Sequence, residues 1–222
     1  MPSGRTTDEE AGLSRSRYLG DGYLSPQRWL SFCAQVDAVR RLSPRTVLEV
    51  GIGGGIVSTI LRHLGMQVTT TDINPELGPD LVVNLTELAA VVPPESYDVT
   101  LCAEVMEHLP LGLFGVCLQN LASVTKDRTV VTLPDVLRGW VTLRGKIWRK
   151  HLNLYWGPHS RRVSADHHWQ IGSEPATRLE EILTRMCKYF EVETHYRIAG
   201  CPAHRLFVLR KAAGSTGPAA AE

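Results

Sequence analysis

The chain has 222 residues, 43% of them hydrophobic and 21% charged, with 24 Lys+Arg against 23 Asp+Glu. That is enough for one domain with a sizeable core, and the near-neutral balance excludes a global electrostatic pull toward nucleic acid or membrane. No apolar run approaches the ~18 residues of a spanning helix, and the opening "MPSGRTTDEEAGLSRSRYLG" has no signal-peptide core. The five cysteines, Cys33, Cys102, Cys117, Cys187 and Cys201, form no Cys-x-x-Cys pair. That speaks against a zinc ribbon or disulfide framework and for a reducing, cytoplasmic setting.

Residues 1–15 are polar and predicted loose. "SPQRWLSFCAQVDAVRRLSP" spaces Trp29, Phe32, Cys33, Val36 and Val39 as a helix, with Ser25 as N-cap and Pro26 in the first turn. "TVLEV" reads as a buried strand and "GIVSTILRHLG" as a helix closed by Gly65. "QVTTTDI", "DLVVNL" and "SYDVTLCAEV" are three further strands. A helix over "LGLFGVCLQNLASV" and a fifth core strand, "RTVVTLP", follow. "SEPATRLEEILTRMCKYF" predicts a long amphipathic helix capped by Ser173, with Glu174, Glu180 and Glu181 near its start. Two last strands, "EVETHYRI" and "HRLFVLRK", complete a single domain over 16–211, with a loose tail at 212–222. Alternation of this kind predicts an α/β fold, a mainly parallel sheet with helices on both faces.

Ligands of such sheets sit at the carboxyl ends of the strands. The first strand ends in "VLEVGIGGG". A dinucleotide-binding G-x-G-x-x-G would need glycine at 56, where Ile56 stands; the pattern is instead Glu49, Gly51, Gly53, Gly55. A glycine loop alone is a weak signal, because tight turns need glycine for their own φ angles. Asp72 ends the second strand, where a carboxylate accepts hydrogen bonds from a ribose diol. Glu49 discriminates further: an acid there suits a positively charged ligand and repels a pyrophosphate.

Together "VLEVGIGGG", "TTTDINP", "VVNLTEL" and "SYDVTLCAEVMEHLP" resemble the successive motifs of the class I, Rossmann-like S-adenosylmethionine-dependent methyltransferases, in order and spacing over about 45–135. The resemblance implies a doubly wound, seven-stranded sheet, S-adenosyl-L-methionine as cofactor and S-adenosyl-L-homocysteine as product. It implies that Gly51, Gly53 and Gly55 approach the methionine portion and ribose, with Glu49 acting largely through bound water or on the ammonium side. Asp72 would take the ribose hydroxyls, Ile73 would pack on the adenine, and the Leu85 amide would serve it too. Asn84 stands where many relatives have Asp, and its carbonyl can accept from the adenine amino group. Glu104 would lie near the methionine end. In "EVMEHLP", Glu107 and His108 have a bland reading, bracing a turn, and His108 a chemical one.

Residues 135–173 are too long for an ordinary connection. The stretch holds Trp140, Trp148, Trp156 and Trp169, seven Arg or Lys and only two Asp up to residue 172, and four histidines. In this family insertions after the fifth strand cover the active site, so the segment is expected to be a lid, with Tyr18 and Tyr23 on the other side. Aromatic faces and cations suit a sugar, an aromatic ring or an anion; the competing reading is a satellite core with a solvated rim. Within "ADHHWQIG", His167 and His168 beside Asp166 are the candidate general bases, and adjacent residues of an extended chain face opposite ways. Methyl transfer from a sulfonium needs no metal, and none is expected.

The expected function is methyl transfer to an oxygen, or second a nitrogen, of a small or medium-sized acceptor. Three rivals stand beside it: a relative of this fold with another group transfer, a nicotinamide dehydrogenase disfavoured by Ile56 and Glu49, and a binding role. In the last, the basic, aromatic stretch 137–156 would dock as an interfacial helix on RNA or an anionic membrane surface. Gly139 and Gly145 weaken such a helix. Sequence leaves the acceptor and the oligomeric state unnamed.

Overall fold

The computed structural model describes residues 7–136, 141–147, 150–156 and 163–212, with side chains over 9–136 and 163–212. Strand β1 (Thr46–Val50) lies between β2 (Gln67–Asp72) and β4 (Tyr97–Ala103), and the seven-stranded sheet has the order β3-β2-β1-β4-β5-β9-β8. Here β3 is Leu81–Val82, β5 Thr125–Pro134, β8 Phe190–Ile198 and β9 Cys201–Lys211. The pairs from β3 to β5 are parallel, and β9 runs antiparallel to both β5 and β8. The predicted Rossmann-like α/β sheet is therefore present, with its last strand inserted in reverse between the fifth and the edge.

Alternating side chains of the strands feed two cores. Leu48, Val50, Met106, Phe114, Leu118 and Phe207 pack on one face, and Val47, Leu61, Leu101 and Leu206 on the other. The second face is covered by α3 (Pro26–Arg41) and α4 (Ile56–His63). As predicted, Ser25 caps α3 by accepting from the Arg28 amide, with Pro26 at its first turn. The first face is covered by α6 (Phe114–Val124), α7 (Leu179–Met186) and the short α5 (Leu88–Val91).

Three expectations change. The stretch up to residue 15 is not all loose: α1 (Thr7–Ala11) and α2 (Arg15–Leu19, capped by Ser14) are formed. The helix expected from Ser173 is shorter, because Arg178 adopts an extended ψ of 150° and separates α7 from a 3-10 turn at Pro175–Thr177. That turn is closed by a Glu174–Thr177 capping box, and Ser173 bonds to Gln170 instead. The stretch read as an interfacial helix pairs as a hairpin, β6 (Val141–Ile147) against β7 (Lys150–Trp156), with Val141 opposite Trp156. Trp140 and Trp148 and the tail from 213 lie outside the described residues, as does the side chain of Trp156.

Candidate active site

At the carboxyl ends of β1, β2 and β4 a cleft opens. The glycine loop forms one wall. Gly51, Gly53 and Gly55 have φ of 82°, 50° and 72°, which other residues resist. A Cβ on Gly51 would collide with the Val105 side chain, and one on Gly54 would lie 3.2 Å from the Tyr18 carbonyl. Gly51 and Gly53 line the cleft, whereas Gly55 is the left-handed N-cap of α4.

Asp72 points into the same space and is held in place by backbone amides, that of Asn74 at 3.0 Å among them. Burial pushes its carboxyl above the ordinary value, against the amides of Asn74, Gly53, Ile52 and Ile73. Ile73, Asn84 and Leu85 line the cleft beside it. The Asn84 amide oxygen, expected to accept from adenine, already accepts from the Thr86 amide and hydroxyl, both at 3.0 Å. Glu49 lies beneath the glycine loop against Ser58, 5% exposed and outside the cleft lining, so direct contact with the ammonium side is not what its position offers; Oε2 has no hydrogen-bond partner among the described residues. Burial raises its carboxyl to about 8, opposed by the Ser58 hydrogen bond and the Arg62 charge.

The far end of the cleft is built by the turn after β4. Glu104 sits in the left-handed region at φ 55°, a strained position for a residue with a Cβ. Its Oε2 is 3.3 Å from His204 Nε2, while Oε1 is buried with no hydrogen-bond partner among the described residues. His204 is held in turn by Ser31 at 3.0 Å. Glu107 is fully buried, and neither carboxylate oxygen has a hydrogen bond among the described residues. Burial, then the charge of Glu104, raises it to about 8.

His108 and His167 meet edge to face there, ring centroids 4.9 Å apart. His108 Nδ1 lies 3.2 Å from Glu10 Oε1 and 3.0 Å from the Asp166 carbonyl. Burial lowers its pKa, but the Glu10 hydrogen bond and the charges of Glu107, Glu10 and Glu104 outweigh that and raise it to about 9. His167 Nδ1 is 3.1 Å from Gln170, and burial, then the charge of His108, lowers this ring to about 4.

A strap from the N-terminus roofs the cleft, and most of it was not anticipated. Glu10, Leu13, Arg17 and Arg28 line the space with the expected Tyr18 and Tyr23. The strap is tied by Arg17 to Asp166 at 2.7 Å and by the Asn74 side-chain amide, which donates to the Leu13 carbonyl at 2.6 Å. Tyr18 and Tyr23 pack edge to face at 5.2 Å, Arg28 stacks over Tyr23, and burial raises both phenols, which stay protonated donors. Of the adjacent histidines only His167 lines the cleft; the His168 amide donates to the Glu107 carbonyl. Trp169, expected in the cover, is a core residue instead. It is 1% exposed, packs on Phe114, and its indole N–H donates to the Leu109 carbonyl at 3.1 Å.

A glycine loop, an acid ending the second strand and an acid after the fourth in one cleft are the marks of a methyltransferase, and comparison with known proteins agrees. Residues 23–185 match the family model described as a methyltransferase domain. The chain belongs to this family, that of the class I S-adenosylmethionine-dependent enzymes. A ubiquinone biosynthesis O-methyltransferase of Xanthomonas campestris pv. campestris is 38% identical over 132 residues, covering 51% of this chain and 55% of the relative. One of Paraburkholderia xenovorans is 34% identical over 119 residues, covering 48% and 46%. The chain thus spans about half the length of these relatives. Among solved structures, the N-methyltransferase NodS of Bradyrhizobium japonicum, in complex with S-adenosyl-L-homocysteine, has the same fold, with a TM-score of 0.60 at 12% identity over 92% of this chain and 96% of that one. The 1,6-didemethyltoxoflavin-N1-methyltransferase of Burkholderia thailandensis, bound to S-adenosylhomocysteine, gives 0.57 at 16% identity, covering 95% and 92%.

Proposed function

We propose that the chain transfers the methyl group of S-adenosylmethionine to an oxygen of a small or medium-sized acceptor, in the cytoplasm. The observation that carries this reading is that one cleft has two chemically different ends. Gly51, Gly53, Asp72, Ile73 and Leu85 offer a nucleoside wall, and Glu104, His108 and His167 form a polar end across it. The sulfonium methyl would face that polar end, where the acceptor oxygen is placed and relieved of its proton. The S–CH3 bond breaks as the O–CH3 bond forms, and the bonding pair stays on sulfur. Holding both reactants in line supplies roughly 7–11 kcal/mol of the barrier.

Oxygen is preferred to nitrogen because the relatives found by sequence are named as O-methyltransferases of ubiquinone biosynthesis. An aromatic hydroxyl also suits Tyr18 and Tyr23 in the roof. The test incubates the full chain with S-adenosylmethionine and a panel of phenols, catechols, sugars and amines, reading S-adenosylhomocysteine release and product mass. Methylated hydroxyls are expected. Turnover confined to amines would overturn the choice of oxygen.

A further inference from the structure

At and beneath the polar end of the cleft lies more carboxylate than methyl transfer from a sulfonium requires. Glu107 is 0% exposed and, among the described residues, both its oxygens lack hydrogen-bond partners, as does the buried Oε1 of Glu104. Buried polar atoms are almost always paired, and each orphan needs a physical reason. A Glu107 that was merely a neutral core acid would donate its hydroxyl to some acceptor, and among the described residues it reaches none.

The neighbours supply the reason. Donor atoms of Glu107, His108 and His167 all lie within 4.8 Å of one another. Each imidazole has its Nδ1 engaged, His108 by the Asp166 carbonyl and Glu10, and His167 by Gln170. That leaves Nε2 of both rings to face the acids. Metal-ligating histidines are oriented in this way, the second nitrogen fixed by a carbonyl, carboxylate or amide. In the structure Gln170 Nε2 donates to His167 Nδ1 and to Ser164 Oγ. With Nε2 of His167 ligating, Nδ1 carries the proton and the Gln170 amide is turned by half a rotation, its oxygen accepting from Nδ1–H and from the Ser164 hydroxyl. Glu104 stands beside this set, its charge acting on Glu107, His108 and His167, with Oε2 turned to His204.

We propose that Glu107, His108 and His167 hold one divalent first-row transition cation at the floor of the acceptor end of the cleft, with the Glu104 carboxylate beside it. The two carboxylates offset its charge, and two imidazoles favour manganese, iron, cobalt or zinc over magnesium or calcium. This rests on the methyl-transfer reading and reverses the expectation that no metal is involved. Positions left open toward the cleft would take the acceptor oxygen. The hydroxyl bound to the ion releases its proton to water, and the oxygen lone pair then attacks the methyl. A hydroxyl beside a second oxygen, as in a catechol, would fill two positions and is the acceptor class the site fits best.

The test uses chelator-treated full-length protein, titrated calorimetrically with MnCl2 and with ZnCl2, and separately with S-adenosylhomocysteine. Wild type should bind one equivalent of cation. Glu107→Gln and His167→Ala should weaken it about 100-fold or more, beyond the cost of a lost outer partner, and should keep S-adenosylhomocysteine binding. Metal-free Glu107→Gln should melt no lower than metal-free wild type, since it removes an uncompensated acid, and only wild type should melt higher with metal. Nucleoside binding without cation binding, or equal cation binding by wild type and variants, overturns the metal site alone. Failure to bind S-adenosylhomocysteine overturns the reading beneath it.

Discussion

Glu49→Gln should stabilise the protein, and by more as the pH rises. Glu49 is 5% exposed, its Oε2 has no hydrogen-bond partner among the described residues, and burial raises its carboxyl from 4.5 to about 8. Below about pH 4.5 the group is protonated in the folded and the unfolded chain alike, so no penalty applies. Between 4.5 and 8 the unfolded chain has released the proton and the folded chain retains it. Stability attributable to Glu49 therefore falls with rising pH, by about 1.36 kcal/mol per unit. Above 8 the folded carboxyl ionises too, and the full penalty is on the order of 4–5 kcal/mol. Glutamine keeps the shape and cannot ionise; any cost of seating its amide is a constant offset. Urea unfolding of both proteins at pH 5, 6, 7 and 8, without cofactor, gives the difference, in which other titrating groups cancel. It should rise by roughly 4 kcal/mol from pH 5 to pH 8. A difference that does not change with pH would refute the reasoning.

Gly51→Ala must place a Cβ into Val105 at a φ of 82°. It should cost about 1–3 kcal/mol and weaken S-adenosylhomocysteine binding in calorimetry; unaltered binding would separate the loop from the ligand. Trp169→Ala empties a fully buried site against Phe114 and should cost about 3–5 kcal/mol in urea unfolding, whereas a lid residue would cost almost nothing. Arg17→Ala removes a half-exposed ion pair to Asp166. It should cost less than about 1 kcal/mol of stability and raise the S-adenosylhomocysteine off-rate in stopped-flow; an unchanged rate would take the strap off the cleft.

One wall of the cleft was legible because its signals are local. Gly51, Gly53 and Asp72 each stand at the end of a strand whose β-branched run is plain in sequence, and parallel pairing brings strand ends together. Asn84 lines the cleft with them, but the capping bonds that occupy its oxygen depend on Thr86, two residues on. Trp169 was misplaced because its neighbours, two histidines in a cationic stretch, read as a cover. Its burial is decided by Phe114 and the Leu109 carbonyl, both more than fifty residues away. The strap was missed for a similar reason. Ser14 is a recognisable cap, yet what holds residues 10–17 over the cleft is Asp166, His108 and Asn74. Likewise the adjacency of Glu107 and His108 was visible, while the approach of His167 that makes a donor set with them was not.

The most direct test of the central claim is calorimetric titration of S-adenosylhomocysteine, S-adenosylmethionine and NAD into wild type and Asp72→Ala. Charge-assisted hydrogen bonds to a ribose diol are worth about 1.5–3 kcal/mol each. Wild type should therefore bind both adenosyl ligands and not NAD, and the variant should bind them at least about 100-fold more weakly. Adenosyl binding that survives the loss of the Asp72 carboxylate, or a wild type that binds NAD and neither adenosyl ligand, would contradict the account.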